Sequence, residues 1–568
     1  MALVTTMGVV PVILLVLAAF DSASTALSFP NSFGKEFITA FPENIAFYHP
    51  TQPYNRIVIT ALHSDTTVIV KMKELGSTDT RNLNAAQEVV IQASWIRAEL
   101  KRSKFSNNTI HVTSNNDISV LAISQRGESI QTTVVPPVES LGTEYHVPPI
   151  PEMKHPQPQI DPGNHLFRLI IINNKETNKV TISGPAGENE TVSLQPFQLV
   201  QLWLNRLLPE PHVLADHPVV VLYSHPCAAT TNCTCSFLFI PLYPVTAWGS
   251  EYLVHPSLED GALNETTFLL TTNQSVSLLS EPPTEPLQLQ SSHELPFYPF
   301  LPGGSSLVKT SSLVSLTLHR PGLLLSLIPT HSFSSCYLLH SLNAMKNQAL
   351  LVAPTAQTEG VHQGNTALDV TWTPMMGTEY SWALVDFGTK YRKHVIWHSS
   401  SKMAAYYLGE TNGVVFGNPA ASISTDPDSK GCLLRPEVVT LGDEQGGWPE
   451  SLKYCQDQGY SLVSLNTEEF LLQVTNKLRE SETQIQGQTQ GQVWIGLRRS
   501  SLTGQWYWLS KDAVSFSHWA QDEPGTPIQG QCAMMTLDPQ GNYTWSDQSC
   551  CEALPAVCYR EPLHFPLQ

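Results

Sequence analysis

The sequence predicts a mostly β N-terminal part followed by a small α+β domain. Three observations predict it. Short β-branched runs alternate with turn signals over the first two thirds of the chain. There are 42 prolines and only 14% charged residues, which disfavours long helices. Two helical periods and most of the remaining cysteines then crowd into the last quarter. With 42% hydrophobic residues the chain has ample material for packed cores. The formal charge of −18 disfavours phosphate backbones, so no nucleic-acid partner is expected.

Met1–Ala26 reads as a signal peptide. Val9–Phe20 is an apolar run interrupted by Pro11, too short to span a bilayer comfortably, and Ser24-Thr25-Ala26 offers small residues for cleavage. The nearest other apolar stretch, Ser311–Pro329, is broken by His319-Arg320-Pro321-Gly322, and the C-terminus has no hydrophobic tail. The expectation is a secreted, extracellular chain with no membrane anchor. Sequons begin at Asn107, Asn189, Asn232, Asn264, Asn273 and Asn542 and are expected glycan sites.

From Phe33 to about residue 420, runs such as Arg56–Thr60, Thr66–Val70, Arg168–Ile172 and Val219–Tyr223 read as strands, because branched side chains fit a half-buried pleated surface. Gly142-Thr143-Glu144-Tyr145 recurs as Gly249-Ser250-Glu251-Tyr252 and as Gly377-Thr378-Glu379-Tyr380. This repeat predicts three β-sandwich-like modules, at 33–150, 151–255 and 256–411. His225, Cys227, Cys233 and Cys235 lack the paired spacing of a zinc cluster, so disulfides are expected. Cys227–Cys233 is the favoured pair, leaving Cys235 with Cys336. Residues 412–431, rich in glycine, proline and serine, read as a linker before a domain at 432–562.

Gly34–Phe41, Leu141–Tyr145, Ser224–Cys227 and Ala247–Tyr252 resemble, in order and spacing, the N-terminal region of the IgGFc-binding protein family over about residues 33–420. The resemblance implies an extracellular interaction region, with immunoglobulin Fc or mucin-type partners. That family's von Willebrand D-type repeats are absent from the sequence that follows.

In the last part, Trp448–Gly459 predicts a helix, with Pro449 in its first turn and Gly459 at its stop. A second helix is predicted to start at Asn466, with Glu469 completing a capping-box-like pair and Phe470, Leu471, Val474 and Leu478 forming its apolar stripe. Trp494-Ile495-Gly496-Leu497, Trp506-Tyr507-Trp508, Trp519, Glu523-Pro524-Gly525, Cys532, Trp545-Ser546-Asp547, Cys550 and Cys558 follow. This order resembles the C-type lectin-like domain. The resemblance implies disulfides Cys455–Cys558 and Cys532–Cys550, and places the tryptophans in the core. Cys432 and Cys551 remain, either paired with each other or with one bridging to another chain.

Sugar-binding members of that family use a calcium ion held by oxygen ligands. Glu523 and Pro524 match the first two positions of the E-P-N motif, and Asp547 the aspartate of W-N-D. Gly525, Ser546 and Gly530 stand where three further side-chain ligands are expected. Two ligands of five predict calcium binding that is weak at best, with no cofactor required. Glu523, Pro524, Tyr543 and Asp547 are the candidate ligand-binding loop residues, and Tyr507 is a second candidate stacking aromatic.

No H-E-x-x-H, nucleophile elbow or glycine-rich phosphate loop is present, and the 19 histidines show no metal-ligand spacing. An enzyme is not expected. The chain reads as an extracellular recognition glycoprotein for a glycan or protein ligand, in mucosal or innate defence. The alternatives are a calcium-dependent lectin with a modified site and a disulfide-linked structural component of mucus or matrix.

Overall fold

The computed structural model describes residues 32–45, 52–151 apart from 75, 94–98 and 128, 166–204 apart from 184–188, 211–254 apart from 232–233, 266–296 apart from 280–286, 307–482 apart from 321 and 413, and 491–567 apart from 529 and 538–542. The expected signal peptide and the sequons at Asn232, Asn264 and Asn542 lie outside the described residues. Asn107, Asn189 and Asn273 are exposed.

Among the described residues the N-terminal part forms four β modules, not three. In the first, one long strand, Ile110–Arg126, serves both halves of a seven-stranded sheet. Its start pairs with Phe33–Thr39 and Thr66–Met72, and its end with Tyr54–Ala61 and Ser129–Val134. A strand that crosses from one half to the other makes the corner of the sandwich. His212–Thr231 does the same in the second module, pairing first with Gly142–His146 and then with Thr234–Pro241. Leu307–Arg320 does it in the third, between Gly249–Leu253 and Leu323–Ser326. In the fourth the crossing strand is broken into Arg392–His398 and Ala404–Thr411, one in each of two five-stranded sheets.

Each module after the first opens on the same device. A proline leads a short 3-10 turn, and four residues beyond the proline an apolar side chain is followed by Gly or Ser and, three positions later, Tyr. The sequences are Pro137…Leu141-Gly142…Tyr145, Pro244…Trp248-Gly249…Tyr252 and Pro329…Phe333-Ser334…Tyr337. The buried tyrosine hydroxyl accepts the amide of the Gly or Ser and donates to a carbonyl at the bend of the crossing strand. Tyr145 accepts from Gly142 at 2.9 Å and donates to Val219 O at 2.7 Å. Tyr252 bonds Gly249 N and Val314 O, and Tyr337 bonds Ser334 N and Met403 O. The true third copy of the repeat is therefore Ser334–Tyr337. Gly377-Thr378-Glu379-Tyr380 is a local turn, with Gly377 at φ 74°, inside the fourth module.

The modules interlock. A Cβ on Gly34, Gly142 or Gly249 would lie 2.7, 2.4 or 2.3 Å from the Cβ of Pro137, Pro244 or Pro329, so each module's glycine is covered by the proline that opens the next. The chain then closes on itself. Ser129–Val134 packs against Thr234–Pro241 and Val414–Pro419, and Leu323–Ser326 packs against the same two strands. Gln131 Nε2 reaches Phe239 O at 3.4 Å, Thr132 Oγ1 bonds Asn418 Oδ1 at 2.5 Å, and Ser32 N bonds Ser422 O at 3.2 Å. The cores follow the ring: Phe37 and Ile57 pack with Ile170 and Phe239, Tyr223 with Leu269, and Leu62 with Leu338 and Trp397. Val414–Pro419 and Ala421–Ser424 are strands of this ring, so the expected linker at 412–431 is half structured.

Cys336 pairs with Cys432, not with Cys235 and not leaving Cys432 for Cys551. The register explains it: Cys336 lies opposite Ser424, and the chain leaves that strand for Cys432. Cys227 is disulfide-bonded, but Cys233 lies outside the described residues, as does the side chain of Cys235.

The C-terminal domain begins and ends on a two-stranded pair, Leu433–Arg435 with Leu563–His564. Helix α1 is Trp448–Asp457 and α2 is Glu468–Glu482. The cap of α2 is Thr467, whose Oγ1 accepts Phe470 N at 3.1 Å. Asn466 lies one residue too early and donates instead to Asp512 at 2.8 Å. Trp448 and Trp494 are buried, and their indoles donate to Ile495 O and Gly446 O, both at 2.9 Å. Trp508 and Trp545 form the second half of the core. The bonds Cys455–Cys558 and Cys532–Cys550 are both formed. Among the described residues no helix is long and apolar enough to cross a membrane.

Candidate ligand-binding site

The site is built on three strands of the C-terminal domain. Gln492–Arg499 alternates Val493, Ile495 and Leu497 into the core, and the same period turns Arg499 inward, leaving it 6% exposed. Cys532–Thr536 pairs with Trp545–Gln548, which puts Asp547 opposite Ala533, and Cys532–Cys550 ties the ends together. The loop Gln521–Ile528 lies over these strands and carries the cis peptide Glu523–Pro524.

Glu523 and Asp547 do come together. Asp547 Oδ1 accepts Gly525 N at 2.8 Å, and Glu523 Oε2 accepts Gly525 N at 3.2 Å and Asp547 N at 3.4 Å. The Asp547 carboxyl hydrogen-bonded to it, together with partial burial, pushes the Glu523 carboxyl above the usual carboxylate range. The positive charge facing them belongs to the protein. Arg499 Nη2 donates to Gly525 O at 2.8 Å and stands 3.7 Å from Asp547 Oδ2, while the guanidinium stacks 4.8 Å over the Trp506 ring.

These residues do not fit calcium. An ion of that kind takes six to eight oxygens. Here one oxygen of each carboxylate accepts backbone amides, and the remaining aspartate oxygen, Asp547 Oδ2, makes no hydrogen bond but is faced by the inward Arg499 guanidinium at 3.7 Å. A side chain at Gly530 is sterically excluded, since its Cβ would lie 2.4 Å from Gln548 N.

Tyr543 is buried in the core beneath Arg479, so it is not a stacking platform. Tyr507 is 41% exposed, and Leu502 and Ile528, on the loops that flank Arg499 and Gln531, are 95% and 97% exposed. Arg499 was not among the candidates from sequence. Its signal was the two-residue period of the strand, which places an arginine on the core face where only a paired charge survives.

Residues 131–409 match the family model of the IgGFc binding protein, and residues 444–560 match that of the lectin C-type domain. The IgGFc-binding protein of Homo sapiens is 25% identical over 456 residues, covering 76% of this chain and 8% of that protein. C-type mannose receptor 2 of Homo sapiens is 28% identical over 118 residues, 20% of this chain and 7% of that one. Lithostathine-1-beta of Homo sapiens is 31% identical over 112 residues, 20% of this chain and 64% of that one. Among solved structures, human lithostathine shares 26% identity, covers 22% of this chain and 93% of its own, with a TM-score of 0.20. The chain thus spans under a tenth of the first two of these relatives. Both families are binding types, which supports a carbohydrate or protein recognition role. The chain is thus similar to the IgGFc binding protein family over residues 131–409 and to the lectin C-type domain over residues 444–560.

Proposed function

We propose that this protein is an extracellular recognition glycoprotein whose lectin domain binds a glycan or protein ligand without calcium, in mucosal or innate defence. The observation that carries the reading is Arg499, a fixed guanidinium facing the carboxylate that a lectin ion would otherwise neutralise. The exposed Tyr507, Leu502 and Ile528 offer an apolar and aromatic rim for such a ligand. Disulfides and exposed sequons support an oxidising, extracellular setting. The β ring is the proposed second surface, for glycoprotein partners of the immunoglobulin Fc or mucin type.

An array of glycans and glycoproteins, probed with the full chain in calcium and in chelator, tests this. Equal binding in both, and a melting temperature unmoved by millimolar calcium, are expected, because an ion that bound would stabilise the native state. Binding lost in chelator and restored by calcium would establish the calcium-dependent lectin instead. A second reading, a disulfide-linked structural component, is favoured by the exposed free thiol of Cys551. Slower mobility on non-reducing gels, abolished by Cys551→Ser, would establish that reading.

A further inference from the structure

The second β module brings together three side chains from two strands. In the pairing of Gly142–His146 with His212–Thr231, His146 lies directly opposite His212, and Glu144 lies opposite Leu214. Period two puts Glu144 and His146 on one face, and the register puts His212 beside both. His146 Nε2 stands 3.3 Å from Glu144 Oε1, and His212 Nε2 stands 3.4 Å from the same oxygen. The two imidazoles stack at 4.2 Å between centroids with 20° between planes. The Trp248 ring, from the turn that opens the third module, closes one side at 5.7 Å from His146. The buried Nε2 of His212 makes no hydrogen bond.

The two histidine–carboxylate spacings suit a tetrahedral ion, and all three ligand atoms lie within 4.8 Å of one another. With metal–ligand bonds of about 2.0–2.1 Å, neighbouring ligand atoms of a tetrahedron are about 3.3–3.4 Å apart. Two imidazoles and one carboxylate suit zinc and its d-block neighbours, whereas calcium and magnesium prefer all-oxygen shells. Glu144 is 43% exposed at its side chain, so an ion has a way in and a fourth position open to water.

The sister modules act as internal controls. In the first, the equivalent acid Glu36 bonds His111 at 2.6 Å, but Ile38 stands where His146 does. In the third, Glu251 pairs with Lys309 at 3.3 Å, and Leu253 and Leu307 replace both histidines. Only the second of these three modules holds the full set, so the fold does not require it.

We propose that Glu144, His146 and His212 form a binding site for one zinc-class divalent cation, independent of whatever the lectin domain binds. The experiment is titration of the chelator-stripped full chain with Zn²⁺ by calorimetry, and with Co²⁺ by absorption in the visible. Binding to wild type with the visible spectrum of tetrahedral Co²⁺ is expected. His146→Leu, a residue the third module already accepts at this place, should weaken Zn²⁺ binding by at least about tenfold and abolish that spectrum, since even loss of an outer-shell partner costs 10–100-fold. Far-UV circular dichroism checks that the variant folds, and Glu144→Gln is the second variant if it does not. A wild-type chain that takes up no zinc below millimolar, or variants that bind it as wild type does, overturns the proposal.

Discussion

Replacing Tyr337 by Phe removes one hydroxyl and leaves the ring in place. That hydroxyl accepts Ser334 N at 3.1 Å and donates to Met403 O at 2.8 Å, and the residue is 1% exposed. Its loss removes both of those bonds, while Ser334 N keeps its own bond to Met403 O at 3.0 Å, so neither backbone group is left without a partner. A hydrogen bond contributes about 0.5–1.5 kcal/mol net, so the two lost bonds cost about 1–3 kcal/mol together. Tyr145→Phe and Tyr252→Phe break the same two bonds in the second and third modules and should cost the same. Tyr380→Phe is the control. That residue belongs to the motif copy which the sequence alone suggests, yet it is half-buried and its ring packs edge-on to Phe333, so its loss should stay within about 0.5 kcal/mol. Guanidinium unfolding followed by near-UV circular dichroism reads all four. The reasoning fails if Tyr380→Phe damages the ring as much as Tyr337→Phe does, or if Tyr337→Phe leaves the midpoint unchanged.

Three further outcomes are expected. Gly249→Ala would place a methyl 2.3 Å from Pro329 Cβ, and overpacking of that kind should lower stability by about 1–3 kcal/mol in the same unfolding assay. Burial pushes the Glu99 carboxyl up to about 7 from its ordinary 4.5, so the native state holds the proton more tightly. Stability from this group is full below the unfolded value and falls as pH rises towards 7, by about 3 kcal/mol at most, and Glu99→Gln should flatten that slope between pH 4.5 and 7. His319, held down to about 4 by burial, contributes with the opposite sign as pH falls below 6.5, so the comparison with wild type isolates the glutamate. Removing the Cys336–Cys432 bond with Cys336→Ala and Cys432→Ala opens a loop whose ends are 96 residues apart, worth about 4–5 kcal/mol on the chain-entropy model, and should appear as a lower melting temperature.

Much of the β architecture was legible because branched runs and turn signals are local. So was the C-terminal domain, where helix periods, tryptophans and cysteines agree with one another. The fourth module was not, because Ser334 replaces the glycine that marked the other copies, while Gly377 supplied the same four-residue pattern for an unrelated turn. A longer pattern beginning at the proline would have found it. The pairing of Cys336 with Cys432 depends on which strand lies beside which, and spacing along the chain does not carry that. Glu523 and Asp547 were placed correctly beside one another by their motif, but Arg499 reaches them from a different strand. His146 and His212 meet only through strand register, which is why a search for ligand spacing in sequence passed over them.

The lectin domain is fastened to the ring at both of its own ends. Cys432 is bonded to the fourth module, Phe565 sits in a core with Leu62 of the first module and Leu338 of the fourth, and Leu433–Arg435 pairs with Leu563–His564 just outside. Such a head cannot swing as a tethered module does. A target held by the lectin loops and a second target held by the ring would meet at a separation fixed by the fold. Joint engagement would then be decided by whether the two targets match that separation, with no tether length available to adjust it.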